Sequence, residues 1–137
     1  MTVEINNKTK NKIDSALIER VAEKFLKIYK KEKKEVSVVF ISESAIQRLN
    51  KIYRRVNKTT DVLTFAGDKK FLGEILINFK QIKRQAKELG VSAKKELIFI
   101  LVHGLLHLLG FTDEAEKDRL EMIRLGENFI KKLKLKK

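Results

Sequence analysis

The chain contains no cysteine, no proline and no tryptophan in its 137 residues. Without cysteine there is no disulfide and no thiolate metal site, an inventory that suits a reducing compartment. Without proline the breaks between elements must be carried by its six glycines, by capping residues and by changes of hydrophobic period. Apolar runs are short as well. The longest, Leu97 to Phe111, falls short of the roughly 20 residues a spanning helix needs, and it contains both histidines of the chain. The opening MTVEINNKTK has no apolar stretch of the export-signal kind. A cytoplasmic protein with no membrane partner is the expectation.

Positive charge is abundant. The 31 Lys and Arg stand against 18 Asp and Glu, a formal net charge of +13. Such an excess draws in polyanions, whether nucleic acid, a phosphate-rich assembly or an anionic membrane. A lysine-rich surface also arises from solubility alone, so charge does not choose a partner. The hydrophobic fraction of 43% excludes a disordered chain despite 36% charged residues. No repeat or low-complexity linker interrupts the sequence, so one domain over residues 1–137 is expected.

Val3 and Ile5 alternate with polar neighbours as in a short strand, and Leu17, Val21, Phe25 and Ile28 form a helical stripe closed by KKEKK from Lys30. VSVVFI, from Val36, is apolar on both faces and predicts a central strand. Ser44 and Gln47 have capping-box spacing ahead of a helix with Ile46, Leu49 and Tyr53 on one face. TDVLTF and LGEILIN predict a hairpin around Gly67 and Asp68. Asn78 and Gln81 can cap a helix facing inward with Phe79, Ile82, Ala86 and Leu89, ended by Gly90. Ser92 then starts a helix, apolar on nearly every side from Ala93 to Leu109, which belongs in the middle of the molecule. A last helix is expected to bury Leu120, Ile123, Ile130 and Leu133, with KKLKLKK frayed and solvated. The order βαβαββααα implies an α+β fold: a small mixed β-sheet of about four strands packed with about five helices, the central apolar one carrying HxxxH.

Residues four apart on a helix point the same way, their side chains starting about 5 to 6 Å apart, so His103 and His107 can share one ligand. Catalytic zinc usually takes three protein ligands and keeps a position for water. Gly110 can adopt the left-handed conformation that turns the chain back, bringing Asp113 toward the histidine face as a third ligand. The frame H-x3-H-x5-D matches the zinc helix of metzincin proteases, except that Gly104 stands where those enzymes have their glutamate base. The alternative is two buried imidazoles satisfied by backbone carbonyls, with Asp113 merely beginning the last helix.

HGLLHLLGF closely resembles the H-G-x-L-H-L-x-G-Y-D-H signature of the YbeY endoribonuclease family. YRRVNKTTDVLTF, from Tyr53, resembles that family's Y-R…P-T-D-V-L-S-F segment, and LGEI, from Leu72, its L-G-[DE]-I. The likeness covers roughly Val36 to Glu127 in the family's order. It implies a zinc-dependent, single-strand-preferring endoribonuclease acting in ribosomal RNA maturation and ribosome quality control, with the small ribosomal subunit and its proteins as partners. By the same resemblance the metal ligands are His103, His107 and the residue at 113, and the functional arginine is Arg54. The family's Asp-His pair is here Thr112 and Asp113, its proline is Thr59, its serine Thr64 and its tyrosine Phe111. A carboxylate is an acceptable zinc ligand, but it lowers the charge of the site by one unit relative to a third imidazole.

Cleavage of RNA builds negative charge on phosphate oxygens, which a metal and the guanidinium fork of Arg54 can stabilise. Lys51, Arg55 and Lys58 cluster with Arg54 as candidate RNA contacts, and Lys80, Lys83, Arg84 and Lys87 line another helix. Glu74 is expected to be a half-exposed strand residue, and Thr60 and Asp61 to organise a turn. The few aromatic residues are expected in the core rather than as base-stacking platforms. Two other readings stand beside the nuclease: a catalytically weakened, metal-poor RNA or ribosome-binding accessory protein of the same fold, and a metallohydrolase for another substrate.

Overall fold

The computed structural model describes residues 2–133. Their elements follow the expected order: β1 (Val3–Asn7), α1 (Ser15–Ile28), β2 (Glu35–Phe40), α2 (Glu43–Arg54), β3 (Val62–Ala66), β4 (Phe71–Ile77), α3 (Phe79–Leu89), α4 (Ala93–Leu108) and α5 (Glu116–Lys132). The sheet order is β1-β2-β4-β3. β1, β2 and β4 run parallel, and β3 returns antiparallel to β4 as a hairpin, with Val62 opposite Ile77 and Ala66 opposite Gly73. β3 is therefore an edge strand, and β2 is interior as its two-faced apolar pattern requires.

Alternation along the strands divides the apolar side chains between two layers. Val38, Phe40, Ile75 and Ile77 face the main core, which they share with Val21 and Phe25 of α1, Leu101 and Leu105 of α4 and Phe129 of α5. Val39, Leu63 and Leu76 point the other way and are covered by Ile46 of α2. α4 lies at the centre, in contact with α1, α3, α5, β3 and β4. Its apolar character on all sides follows from having neighbours on all sides.

The local signals hold in part. Asn78 caps α3, accepting from the Gln81 amide, and Gly90 closes it with φ 70°. Ser92 caps α4. α2, however, is capped by Ser42, whose side chain accepts from the Ala45 amide. The helix thus starts earlier than the Ser44 and Gln47 spacing predicts, and places Glu43 in its first turn beside the positive dipole end. Leu89 is exposed at the end of α3. α5 buries Met122, Gly126 and Phe129 rather than Leu120, which is exposed. Gly126 faces Val102 of α4, which a Cβ there would meet at an ordinary 3.7 Å, and the buried stripe of α5 runs through Met122, Gly126 and Phe129. Lys131 and Lys132 are helical, and the rest of the expectation for KKLKLKK concerns residues 134–137, which lie outside the described residues. Among the described residues no helix is long and apolar enough to cross a membrane.

Candidate metal centre

The two histidines sit in the last two turns of α4, and the end of that helix decides what faces them. Gly110 has φ 105°, a conformation glycine adopts without a Cβ penalty. Its amide donates to the His107 carbonyl at 2.9 Å and the Phe111 amide to the Leu106 carbonyl at 3.2 Å, the paired bonds of a Schellman turn. The chain folds back over the histidines. The Phe111 carbonyl then accepts from His107 Nδ1 at 3.1 Å, and Asp113 follows within reach of both rings.

His103 Nε2 lies 3.2 Å from His107 Nε2, and Asp113 Oδ2 lies 3.3 Å from the first and 3.5 Å from the second. Because a carbonyl only accepts, His107 Nδ1 bears a proton, and in the neutral ring its Nε2 presents a lone pair. Asp113 presents another. With both rings neutral, three acceptors converge with at most one proton, from His103, to share among them. A cation resolves this arrangement. Ligands about 2.0 to 2.1 Å from a tetrahedral ion stand about 3.3 to 3.4 Å apart, close to the three separations here. The donor set, two imidazole nitrogens and one carboxylate oxygen, fits a zinc-sized ion on geometry and on chemistry.

The electrostatics agree. Burial and the neighbouring His107 hold the His103 imidazole below its ordinary range, against the pull of Asp113, so the neutral, ligating form is favoured. Burial pushes the Asp113 carboxyl up, but the charge of His107 and the hydrogen bond and charge of His103 outweigh it and keep the group below its usual value. Asp113 is the most open of the three, its side chain 41% exposed. It does not belong to α5, which begins at Glu116.

The triad opens into a cavity of about 730 Å³ that wraps the free edge of β3. Arg54 lines the same cavity from the end of α2. Lys51, Arg55 and Lys58 are exposed around that helix end but are not part of the cavity wall. Arg55 takes φ 58°, the left-handed conformation that stops α2. Glu74 is half-buried, paired with Phe65 and Ser37 in the sheet, and does not line the cavity.

Thr60 organises the turn as expected, its hydroxyl bonding Asp61 Oδ1 and the Val62 carbonyl. Asp61 does more than turn the chain. It lines the cavity, and its Oδ2 accepts from Gln85, which also donates to Glu96 Oε2 at 2.9 Å. This link between the turn before β3, α3 and α4 is invisible to motif reading. The one local signal is that Glu96 precedes His103 by two helical turns and so shares its face. Tyr53, Phe65 and Phe99 also line the cavity, against the expectation that the aromatic residues serve the core.

A family model described as Endoribonuclease YbeY matches residues 4–134. Among curated proteins, the chain is similar to an Endoribonuclease YbeY of Acholeplasma laidlawii, 36% identical over 98% of this chain and 100% of that one. It is likewise similar to an Endoribonuclease YbeY of Phytoplasma australiense, 35% identical over 100% and 99% of the two chains. Among solved structures, a solution structure of a Thermotoga maritima protein matches with TM-score 0.66 and 32% identity, over 93% of this chain and 86% of that one.

Proposed function

This chain belongs to the YbeY endoribonuclease family, and on that footing we propose that it is a zinc-dependent, single-strand-preferring endoribonuclease. In this reading it works as one domain in the cytoplasm, in ribosomal RNA maturation and ribosome quality control, in company with the small ribosomal subunit. The observation that carries the reading is the convergence of His103, His107 and Asp113 in a cavity that Arg54 also enters.

Zinc held by the three side chains would supply a Lewis acid for a phosphate oxygen or for water. The chain's own residues do the rest. The Phe111 carbonyl fixes the His107 tautomer, so that Nε2 faces the centre without a proton to lose. Asp113 offsets part of the positive charge that would gather there. Arg54 presents a planar fork of donors to the scissile phosphate and neutralises charge that grows as the bond breaks. Lys51, Arg55 and Lys58 hold the flanking phosphates at the cavity's rim.

One observation favours the second reading, a metal-poor RNA-binding accessory protein. The third donor is an exposed carboxylate, which water competes for more readily than for a buried imidazole. Cleavage of a single-stranded RNA by metal-stripped protein, with and without added zinc, separates the two. The nuclease reading expects cleavage that returns with zinc and is lost in Asp113→Ala and Arg54→Ala. RNA binding without cleavage at any zinc concentration would leave the accessory role.

A further inference from the structure

Six large apolar side chains are exposed among the described residues, and three of them, Ile52, Tyr53 and Val56, lie within five positions at the end of α2. Scattered apolar residues are ordinary on a surface, but half of them in one place marks a contact site. Arg54 and Arg55 are interleaved with this patch. Aromatic surface among guanidinium groups suits a nucleotide, whose base offers a flat face and whose phosphate takes the charge.

Tyr53 is the most exposed of the three, at 64%. Its ring meets Phe65 of β3 edge to face, centroids 5.2 Å apart and planes at 75°. Phe65 thus braces the ring without covering both of its faces. Tyr53 lines the cavity that holds the triad, and its chain neighbour Arg54 lines it too. Phe99, which packs nearly parallel to the His103 ring, forms part of the same wall.

Resting on the reading of this cavity as a site of RNA cleavage, we infer that Tyr53 stacks an unpaired base of the substrate and is the residue that selects single strands. A base in a duplex has its faces occupied by its neighbours and cannot lie on the ring. An unpaired base can, and stacking it there brings its phosphate to Arg54. Phe65 is a positioning residue for the tyrosine.

The test is a cycle of binding measurements in chelator, so that no cleavage occurs, using a short single-stranded RNA and versions with one abasic position. The expected result is that one abasic position weakens binding to the wild type by roughly fivefold or more, and that this penalty vanishes in Tyr53→Ala. Tyr53→Phe should retain it, since a phenyl face stacks as well. With zinc restored, Tyr53→Ala should lose its preference for single over double strands. Independent, multiplying penalties for the abasic position and Tyr53→Ala would overturn the stacking while leaving the nuclease intact. A wild type that binds no RNA would remove the nuclease reading, and the stacking with it. Unchanged RNA binding and cleavage in Tyr53→Ala would assign the patch to a protein partner instead. The protein has no tryptophan and two tyrosines, so in a Tyr29→Phe background Tyr53 emission reports the ring directly. It should be quenched by the intact RNA and not by the critical abasic version.

Discussion

Gly104, between the two histidines of α4, lies against Ile75 of β4: a methyl group at Gly104 would come within 3.1 Å of Ile75 Cγ2 and 3.4 Å of its Cδ1. Ile75 is fully buried in an interior strand, so a shift of its side chain disturbs the core. The glycine that stands at the metzincin base position therefore suits the close approach of helix to sheet, and a side chain there would press on Ile75. Gly104→Ala gains the helical preference of alanine, up to about 1 kcal/mol, but overpacks the core at a cost of about 1 to 3 kcal/mol. The expected outcome is a melting temperature lower by a few degrees and weaker metal binding, read by calorimetry and zinc titration.

Zinc should stabilise the protein in thermal melts, by ~2.7 kcal/mol at a hundredfold excess over Kd. Asp113→Ala leaves two imidazoles and should weaken zinc affinity by more than about tenfold, and His107→Ala should abolish the shift in melting temperature. Equal zinc responses in wild type and His107→Ala would place the ion elsewhere.

Arg54 comes from α2, and the triad from α4 and the turn after it, so chemistry and metal retention should separate. Arg54→Ala is expected to lower kcat on single-stranded RNA about a hundredfold with zinc affinity unchanged. Arg54→Lys should recover little, because a point charge lacks the planar fork. Full activity in Arg54→Lys would mean that charge alone suffices.

Lys51, Arg55 and Lys58 are exposed at and just beyond the end of α2, the helix whose Arg54 lines the cavity. RNA affinity should fall steeply with salt, and each of these residues changed to alanine should reduce the slope of log K against log salt by about 0.7 if it pairs with a phosphate. A slope unaffected by all three substitutions would put the RNA path on another face, such as the lysines of α3.

Burial holds the Glu96 carboxyl above its ordinary range; the hydrogen bond from Gln85 opposes this and the charge of Asp61 adds to it. Since the folded pKa exceeds the unfolded one, folding disfavours the charged form. That penalty is absent at low pH, where both states are protonated, and grows as pH rises through the unfolded and then the folded pKa. Glu96→Gln keeps an acceptor for Gln85 and removes the charge. It should melt above the wild type at neutral pH, the gap closing below about pH 4. A gap that stays constant with pH would contradict this.

Much of the centre was legible because its parts lie close in sequence. The spacing of His103 and His107 places them on one helical face, and Gly110 predicts the turn that returns Asp113 to them. The stripe of α5 was not legible because Leu120 and Met122 are both apolar, and only the packing of α5 against α4 decides which one is buried. Ser42 rather than Ser44 caps α2 because the helix begins directly after β2, and with Ala45 three residues on Ser42 carries no capping-box spacing to mark it.

Read by itself, the chain determines the order of its elements, the central place of α4, the spacing that lets His103, His107 and Asp113 meet, and the excess of positive charge. All of these rest on local periodicity, turn chemistry and composition. Tertiary structure alone decided that Arg54 and Tyr53, on the helix covering one face of the sheet, share a cavity with histidines from a helix on the other. That meeting requires β3 to be the edge strand, so that the cavity can pass around it. Strand order is set by many weak burial terms summed over residues far apart in the chain, and no short motif carries that sum.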